Sequence, residues 1–374
     1  MMNDRIRDRL SQIAEMLDPG HLARSEKLQE DAIAYRKIER IPVILAKEIL
    51  PDHPLYPVDE AFHDPDKMFW NELHLPYMGV KLKDDRILTV RASYGPILIT
   101  AMLGCEYYVD HSTTWAKPLK DSGAIRKLID RGIPDFTSGL AARVLETQAL
   151  FKGYLEDCGL SPYIHLFQAD NQGPFDCADM IWGEGIYYAM YDEPELVHEL
   201  LDLVTQTTVS FVKAQKKVMG EKNGMYHWWW KIPGGVRAVD DMTTVLSPAT
   251  YEAFSKPYTE KLYAEFGGGY MHYCGHTLQN QALRLATKGL RAVDMGGREI
   301  AEDLESHKDE YTIQKLCDQA AEHRVAILFG ATGLPAERPS VSTGLVYAEV
   351  NKAGRSFEQG AEHLKAAKEY WVHK

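Results

Sequence analysis

Apolar positions along the chain alternate between two patterns. Compact runs at PVILA (42–46), YIHLFQAD (163–170), GMYHWWWK (224–231), GYMHYC (269–274), LRAVDMG (290–296) and RVAILFGA (324–331) read as short buried strands. Stretches with apolar residues at helical spacing separate them. Leu196, Leu200, Val204 and Phe211, widened by Val197 and Leu201, predict a long helix from about Glu193 to Met219. Residues 247–266 predict another, opened by Ser247 as cap and Pro248 in the first turn. Thr312 to His323 and a closing segment through Phe357, Ala361, Leu364 and Trp371 follow the same rule. Residues 3–37 read as helical, broken at Pro19-Gly20. Residues 51–78, rich in Pro, Asp and His, predict an irregular excursion, and Val80 to Val90 a β-hairpin turning at Asp84-Asp85.

Strands alternating with helices mean βα units and a parallel sheet. Either a doubly wound sheet or a (β/α)8 TIM barrel satisfies that order. Asp170, His227, His272 with Cys274, Asp294 and Thr332 all fall at or near strand C-terminal ends, which is how a barrel assembles its site. No GxGxxG or GxxxxGK[ST] motif follows a strand. The expectation is one TIM-barrel domain over residues 1–374, with residues 1–90 as a helical and hairpin elaboration that includes the first strand.

Composition narrows the class. The 374 residues are 45% hydrophobic, ample for a core, and carry a formal net charge of −12. That charge argues against nucleic acid and anionic membranes as general partners. The N-terminal MMNDRIRDRL lacks the apolar centre of a secretory leader, and no apolar run reaches the ~20 residues of a spanning helix. Five cysteines, at 105, 158, 177, 274 and 317, are odd in number and scattered, so reduced thiols and a cytoplasmic location are expected.

The candidate chemistry centres on GGGYMHYCG (267–275), where His272 and Cys274 stand two apart on a strand and so share a face. An imidazole and a thiolate side by side are half of a zinc site; the ordinary alternative is a core histidine beside a buried cysteine. Asp170 and Gln172, after a strand in DNQGPFD, are candidates for positioning a substrate or for plain turn chemistry. In HWWWK, alternation puts Trp228 and Trp230 on one face and His227 on the other; aromatics lining a lumen suit a flat ligand, and equally fill a core. Asp294 is a candidate metal ligand, partner to His272 or proton acceptor, with turn capping as the plain reading. Glu48 is a charged residue at the end of the first strand. Asp240-Asp241 read as cap and turn residues, His276 as a surface histidine, and the four other cysteines as structural.

Five stretches together resemble the uroporphyrinogen decarboxylase family: DNQGPFD (170–176), YDEPELVHELLDLV (191–204), DDMTTVLSPATYEAFSKPY (240–258), MHYCGH (271–276) and FGATGLP (329–335). The family includes the decarboxylase of haem synthesis and zinc methyltransferases that move methyl groups from corrinoid proteins to a thiol. The resemblance implies a TIM barrel with its site at the strand C-terminal ends. IPVILAKEIL (41–50) lacks the arginines with which the decarboxylase grips its polycarboxylate substrate. His272 and Cys274 match the first two zinc ligands of the methyltransferases; the third, a cysteine, falls where this chain has Thr332. Asp294, Glu48 and His227 are then the candidates to complete the site. The resemblance implies zinc-assisted methyl transfer (a demethylase), with a corrinoid carrier protein as partner. In that reading Asp170, Gln172 and Asp294 are catalytic, and His227, Trp228, Trp230 and Glu48 bind substrate. Decarboxylation of uroporphyrinogen or a related tetrapyrrole, with Asp170 or Asp294 facing a protonated pyrrole, is the alternative. A non-catalytic barrel that binds a corrinoid or tetrapyrrole is another.

Overall fold

The computed structural model describes residues 2–46, 48, 50–220, 225–232, 235–274, 278–295, 312–331, 334–335, 338–350 and 355–372. Eight parallel strands organise it: β1 Val43–Ala46, β2 Thr89–Arg91, β3 His165–Phe167, β4 Arg237–Val239, β5 Gly269–Tyr273, β6 Leu290–Met295, β7 Ala326–Ala331 and β8 Leu345–Val350. The ladder runs β4-β5-β6-β7-β8-β1, and a second parallel pair joins β2 to β3. The last strand pairs in parallel with the first, Val43 beside Tyr347, as the strand order of the TIM-barrel family requires. The strands are apolar because helices cover their outer face: Val43, Ile44, Leu45, Ala292, Val293, Leu345 and Val346 are completely buried.

The two interruptions of the ladder are bridged in different ways. Between β1 and β2, side chains do the work of a strand. The Asp84 carboxylate accepts the Leu45 N–H at 2.9 Å and the Asp85 carboxylate accepts the Val43 N–H at 2.8 Å. The Arg86 guanidinium donates to the Leu45 carbonyl at 2.5 Å and to Asp84 at 2.7 Å. Asp84-Asp85 is thus a buried bridge and not a hairpin turn, because Val80 lies inside a helix, His74–Leu82. The expected irregular excursion is also helical in part, over Val58–His63 and Pro65–Glu72. An antiparallel hairpin does decorate this half of the chain, at Tyr107–Val109 with Thr114–Ala116.

Between β3 and β4, the Gly173 N–H donates to the Val239 carbonyl at 2.9 Å. A Cβ at Gly173 would collide with that carbonyl. We expect Gly173→Ala to cost about 1–3 kcal/mol in chemical denaturation, since backbone and not a pliable side chain must yield. A variant as stable as the parent would contradict this account of the seam.

The HWWWK segment corrects a second expectation. It is a tight antiparallel turn, Tyr226–His227 against Trp230–Lys231, and the strand that enters the barrel is β4, further along. Trp228 sits in the turn at φ 49°. Alternation therefore does not apply, and Trp228 and Trp230 do not share a lumen face. The turn packs at the N-terminal side of β2 and β3: Tyr226 stacks on His165 at 4.0 Å, and the Ile87 N–H donates to the Trp229 carbonyl.

Several histidines are buried without charge. Burial lowers His53 to about 3, outweighing its bond to the Trp70 carbonyl, and burial with the Arg86 and Arg9 charges lowers His74 to about 4. Between these values and 6.5 the unfolded chain binds more protons than the fold, so stability falls as pH drops through that window. We expect urea midpoints to decline from pH 6.5 to pH 4, and His53→Phe to flatten the decline. A pH-independent midpoint over that range would refute the assignment. Among the described residues, no helix is long and apolar enough to cross a membrane.

Candidate metal centre

Tyr270 and His272 alternate along β5 toward the C-terminal end, and Cys274 continues the row past the strand. His272 is in register with Asp294 of β6, so both side chains point the same way from neighbouring strands. His272 Nδ1 lies 3.0 Å from Asp294 Oδ2. That contact turns Nε2 outward, 3.3 Å from Cys274 Sγ and 4.0 Å from Asp241 Oδ1. Asp241 follows β4, and its Oδ1 also accepts the Cys274 N–H at 2.6 Å. The ligand atoms of Asp241, His272 and Cys274 all lie within 4.8 Å of one another.

The electrostatics favour a cation there. Burial alone would depress the His272 pKa, but the Asp294 charge and hydrogen bond, with Cys274, raise it to about 10. A carboxylate behind an imidazole whose far nitrogen faces a thiol is the arrangement that orients metal-bound histidines. Tetrahedral zinc, with bonds of about 2.0–2.3 Å, requires ligand separations of roughly 3.3–3.8 Å. The N···S distance already meets this, and the N···O distance needs a small rotation of Asp241.

A second charged group lies beside the first. Asp170 pairs with Arg237 and, at 3.4 Å, with Arg91. Burial would raise the Asp170 pKa, but the Arg237 and Arg91 charges outweigh it and hold the carboxyl below its usual range. Arg91 also donates its backbone N–H to Glu72 at 3.0 Å. Below this quartet, His227 meets Phe167 edge-on at 4.8 Å and Tyr270 at 5.0 Å. Burial, then the Arg237, Arg91 and His272 charges, lower its pKa well below 6.5, so it is a neutral imidazole.

The structure sorts the expected residues accordingly. His272 and Cys274 converge, and Asp294 stands behind His272 instead of beside Cys274. Glu48 and His227 lie outside the converging group. Glu48 is buried and bound by Arg355 at 2.5 Å, in a cluster where Arg355 also donates to Glu349, itself 2.6 Å from His363. Gln172 is buried in the loop ahead of the helix Pro174–Trp182. Trp228 lies 5.4 Å from the Arg91 guanidinium, while Trp230 is buried among core residues. Thr332 and His276 fall outside the described residues.

Asp241, Arg91 and Arg237 are residues of this site that sequence reasoning passed over. With a strand placed at 224–231, Asp240-Asp241 read as cap and turn residues ahead of the helix at 247–266. Placed at 237–239, the same strand makes Asp240-Asp241 a pair of carboxylates at its C-terminal end, the signal that was there to find.

Comparison with known proteins agrees with this architecture. Residues 171–314 match the family model Uroporphyrinogen decarboxylase (URO-D). Uroporphyrinogen decarboxylase of Desulfotalea psychrophila is 27% identical over 154 residues, 39% of this chain and 38% of that protein. The same enzyme of Xanthomonas campestris is 28% identical over 182 residues, 46% of this chain and 45% of that protein. The alignments thus span less than half the length of these curated relatives. A solved methyltransferase from Methanosarcina mazei shares the fold over 92% of this chain and 98% of its own, with a TM-score of 0.60 and 14% identity.

Proposed function

We propose that the protein is a metal-dependent methyltransferase of the uroporphyrinogen decarboxylase family, with zinc held by Asp241, His272 and Cys274. The observation that carries this reading is the convergence of one sulfur, one nitrogen and one oxygen donor, with Asp294 fixing the imidazole from behind. Three protein ligands with a fourth position left for water or substrate is the composition of a catalytic zinc site. Zinc held there supplies Lewis acidity, which keeps a substrate thiol ionised or polarises a methyl-bearing ether oxygen.

The protein's own side chains have complementary tasks. With zinc bound, Asp294 would keep the proton on His272 Nδ1, and the ion would take the place of the proton that Nε2 carries in the metal-free imidazolium. Asp170, Arg237 and Arg91 carry one carboxylate against two guanidiniums, a net positive charge that Glu72 beside Arg91 offsets when ionised, and the group sets a polar wall beside the site. His227, Phe167 and Tyr270 form an aromatic floor that excludes water. A corrinoid carrier docking over the mouth is the partner this reading calls for.

The test is elemental analysis of tag-free protein, followed by assays with three substrates: a methyl-corrinoid plus thiol, an aryl methyl ether plus reduced corrinoid, and uroporphyrinogen. Stoichiometric zinc with methyl transfer supports the proposal. Coproporphyrinogen formation by metal-free protein would replace it with decarboxylation, and ligand-dependent stabilisation without turnover would replace it with a binding barrel.

A further inference from the structure

The loop that carries Asp241 is gripped by a residue the chemistry above does not use. Asp176 occupies the first turn of the helix Pro174–Trp182, and its carboxylate is buried. One carboxylate oxygen accepts the Asp241 N–H at 2.9 Å and the other accepts the Met242 N–H at 3.1 Å. Both oxygens are thus committed to the loop after β4. Met242 opens a 3-10 turn, Met242–Val245, whose Thr243 hydroxyl donates back to the Asp240 carbonyl at 2.7 Å.

Neighbouring Asp240 is anchored on the opposite side. Its carboxylate accepts from Ser255 Oγ and from Arg284 Nε, each at 3.0 Å, and its N–H donates to the His272 carbonyl at 2.8 Å. Asp240 therefore fixes the loop's base, and Asp176 fixes the peptide that bears Asp241. Asp176 is itself placed by the Gly173–Val239 contact, where the absent Cβ lets the two loops touch. The DNQGPFD and DDM segments are in this light the two halves of one clamp.

We infer that Asp176 is a positioning residue for the metal centre, acting through Asp241: it holds that carboxylate within ligand range of His272 and Cys274. The inference rests on the zinc reading above. Its physical basis is that a bidentate carboxylate–amide grip removes the freedom of a short loop, so Asp241 meets the ion without first being ordered.

Zinc dissociation constants are to be measured by chelator competition for the parent, Asp176→Asn, Asp241→Ala and the double variant, with metal-free melting temperatures alongside. Asparagine keeps the shape but offers an N–H₂ where a second acceptor is needed. The expected result is at least tenfold weaker zinc binding by Asp176→Asn, and no further weakening when the substitution is added to Asp241→Ala. Cobalt(II) substitution gives a second readout: the thiolate charge-transfer band persists in Asp176→Asn while the d–d bands shift with the altered oxygen ligand. An unchanged zinc constant overturns the inference, as does equal weakening in the Asp241→Ala background, even if the metal-free melting temperature falls. A parent protein that binds no zinc would instead overturn the metal reading itself.

Discussion

Protein carrying His272→Ala or Cys274→Ala is expected to retain no stoichiometric zinc after purification and dialysis, and to lose methyl transfer with it. Each substitution removes one of the two strongest donors and leaves two protein ligands, fewer than the three a catalytic site uses. The loss should exceed the roughly 10–100-fold typical of outer partners. Asp294→Asn is the graded control: it keeps a hydrogen bond to His272 Nδ1 but removes the charge, so zinc affinity should fall within that 10–100-fold range. Asp241→Ala should fall between these cases, because His272 and Cys274 still approach each other at 3.3 Å without it. Elemental analysis and chelator competition read all four. Zinc contents equal to the parent in both His272→Ala and Cys274→Ala would end the proposal, since the ion would then lie elsewhere.

The largest stability effect is expected far from the chemistry, at the seam between β1 and β2. Asp84 and Arg86 are each 1% exposed. They satisfy the Leu45 N–H and carbonyl that a neighbouring strand would otherwise have satisfied. Removing one member of such a pair strands a buried charge, and the cost of that is about 3–5 kcal/mol. Asp84→Ala should therefore destabilise by about that amount, as read from urea or thermal unfolding, and Arg86→Ala similarly. The loss should also loosen the barrel locally, with faster hydrogen exchange at the Val43 and Leu45 amides. A change below 1 kcal/mol in both variants would show that water or a shifted β2 takes over the seam.

The motifs that carry the family resemblance acquire physical reasons in the fold. GPFD is a glycine that permits loop contact, a proline opening a helix and an aspartate gripping the next loop. Ser247 caps its helix by accepting the Thr250 N–H at 3.2 Å, as its position before Pro248 predicts. A single helix expected over 247–266 is two, Pro248–Phe254 and Lys256–Ala264, broken ahead of Pro257, which lacks the N–H to continue the first, and Ser255 at the break bonds Asp240. That bond joins residues fifteen apart, and local periodicity carries no sign of it.

The alternation of apolar runs and helical stripes was enough to place β1, β3, β5, β6 and β7, the long helix Pro194–Met219 and the closing helix Phe357–Tyr370. Those elements are buried on a regular period, and a regular period is written in the chain. The pairing of His272 with Cys274 was legible for the same reason: two positions apart on a strand means one face. Tertiary structure alone decided the rest. Whether HWWWK was a barrel strand depended on which of two β segments could reach β5, and the three-residue β4 is too short to show alternation. Asp294 meets His272 Nδ1 through the register of β5 against β6. Asp241 joined the site only when Asp176 and Cys274, 65 and 33 residues away in sequence, bonded to its own peptide and carboxylate. Strand faces follow from the chain's local geometry, but the meeting of loop carboxylates follows from how strands and loops pack, which no window of sequence contains.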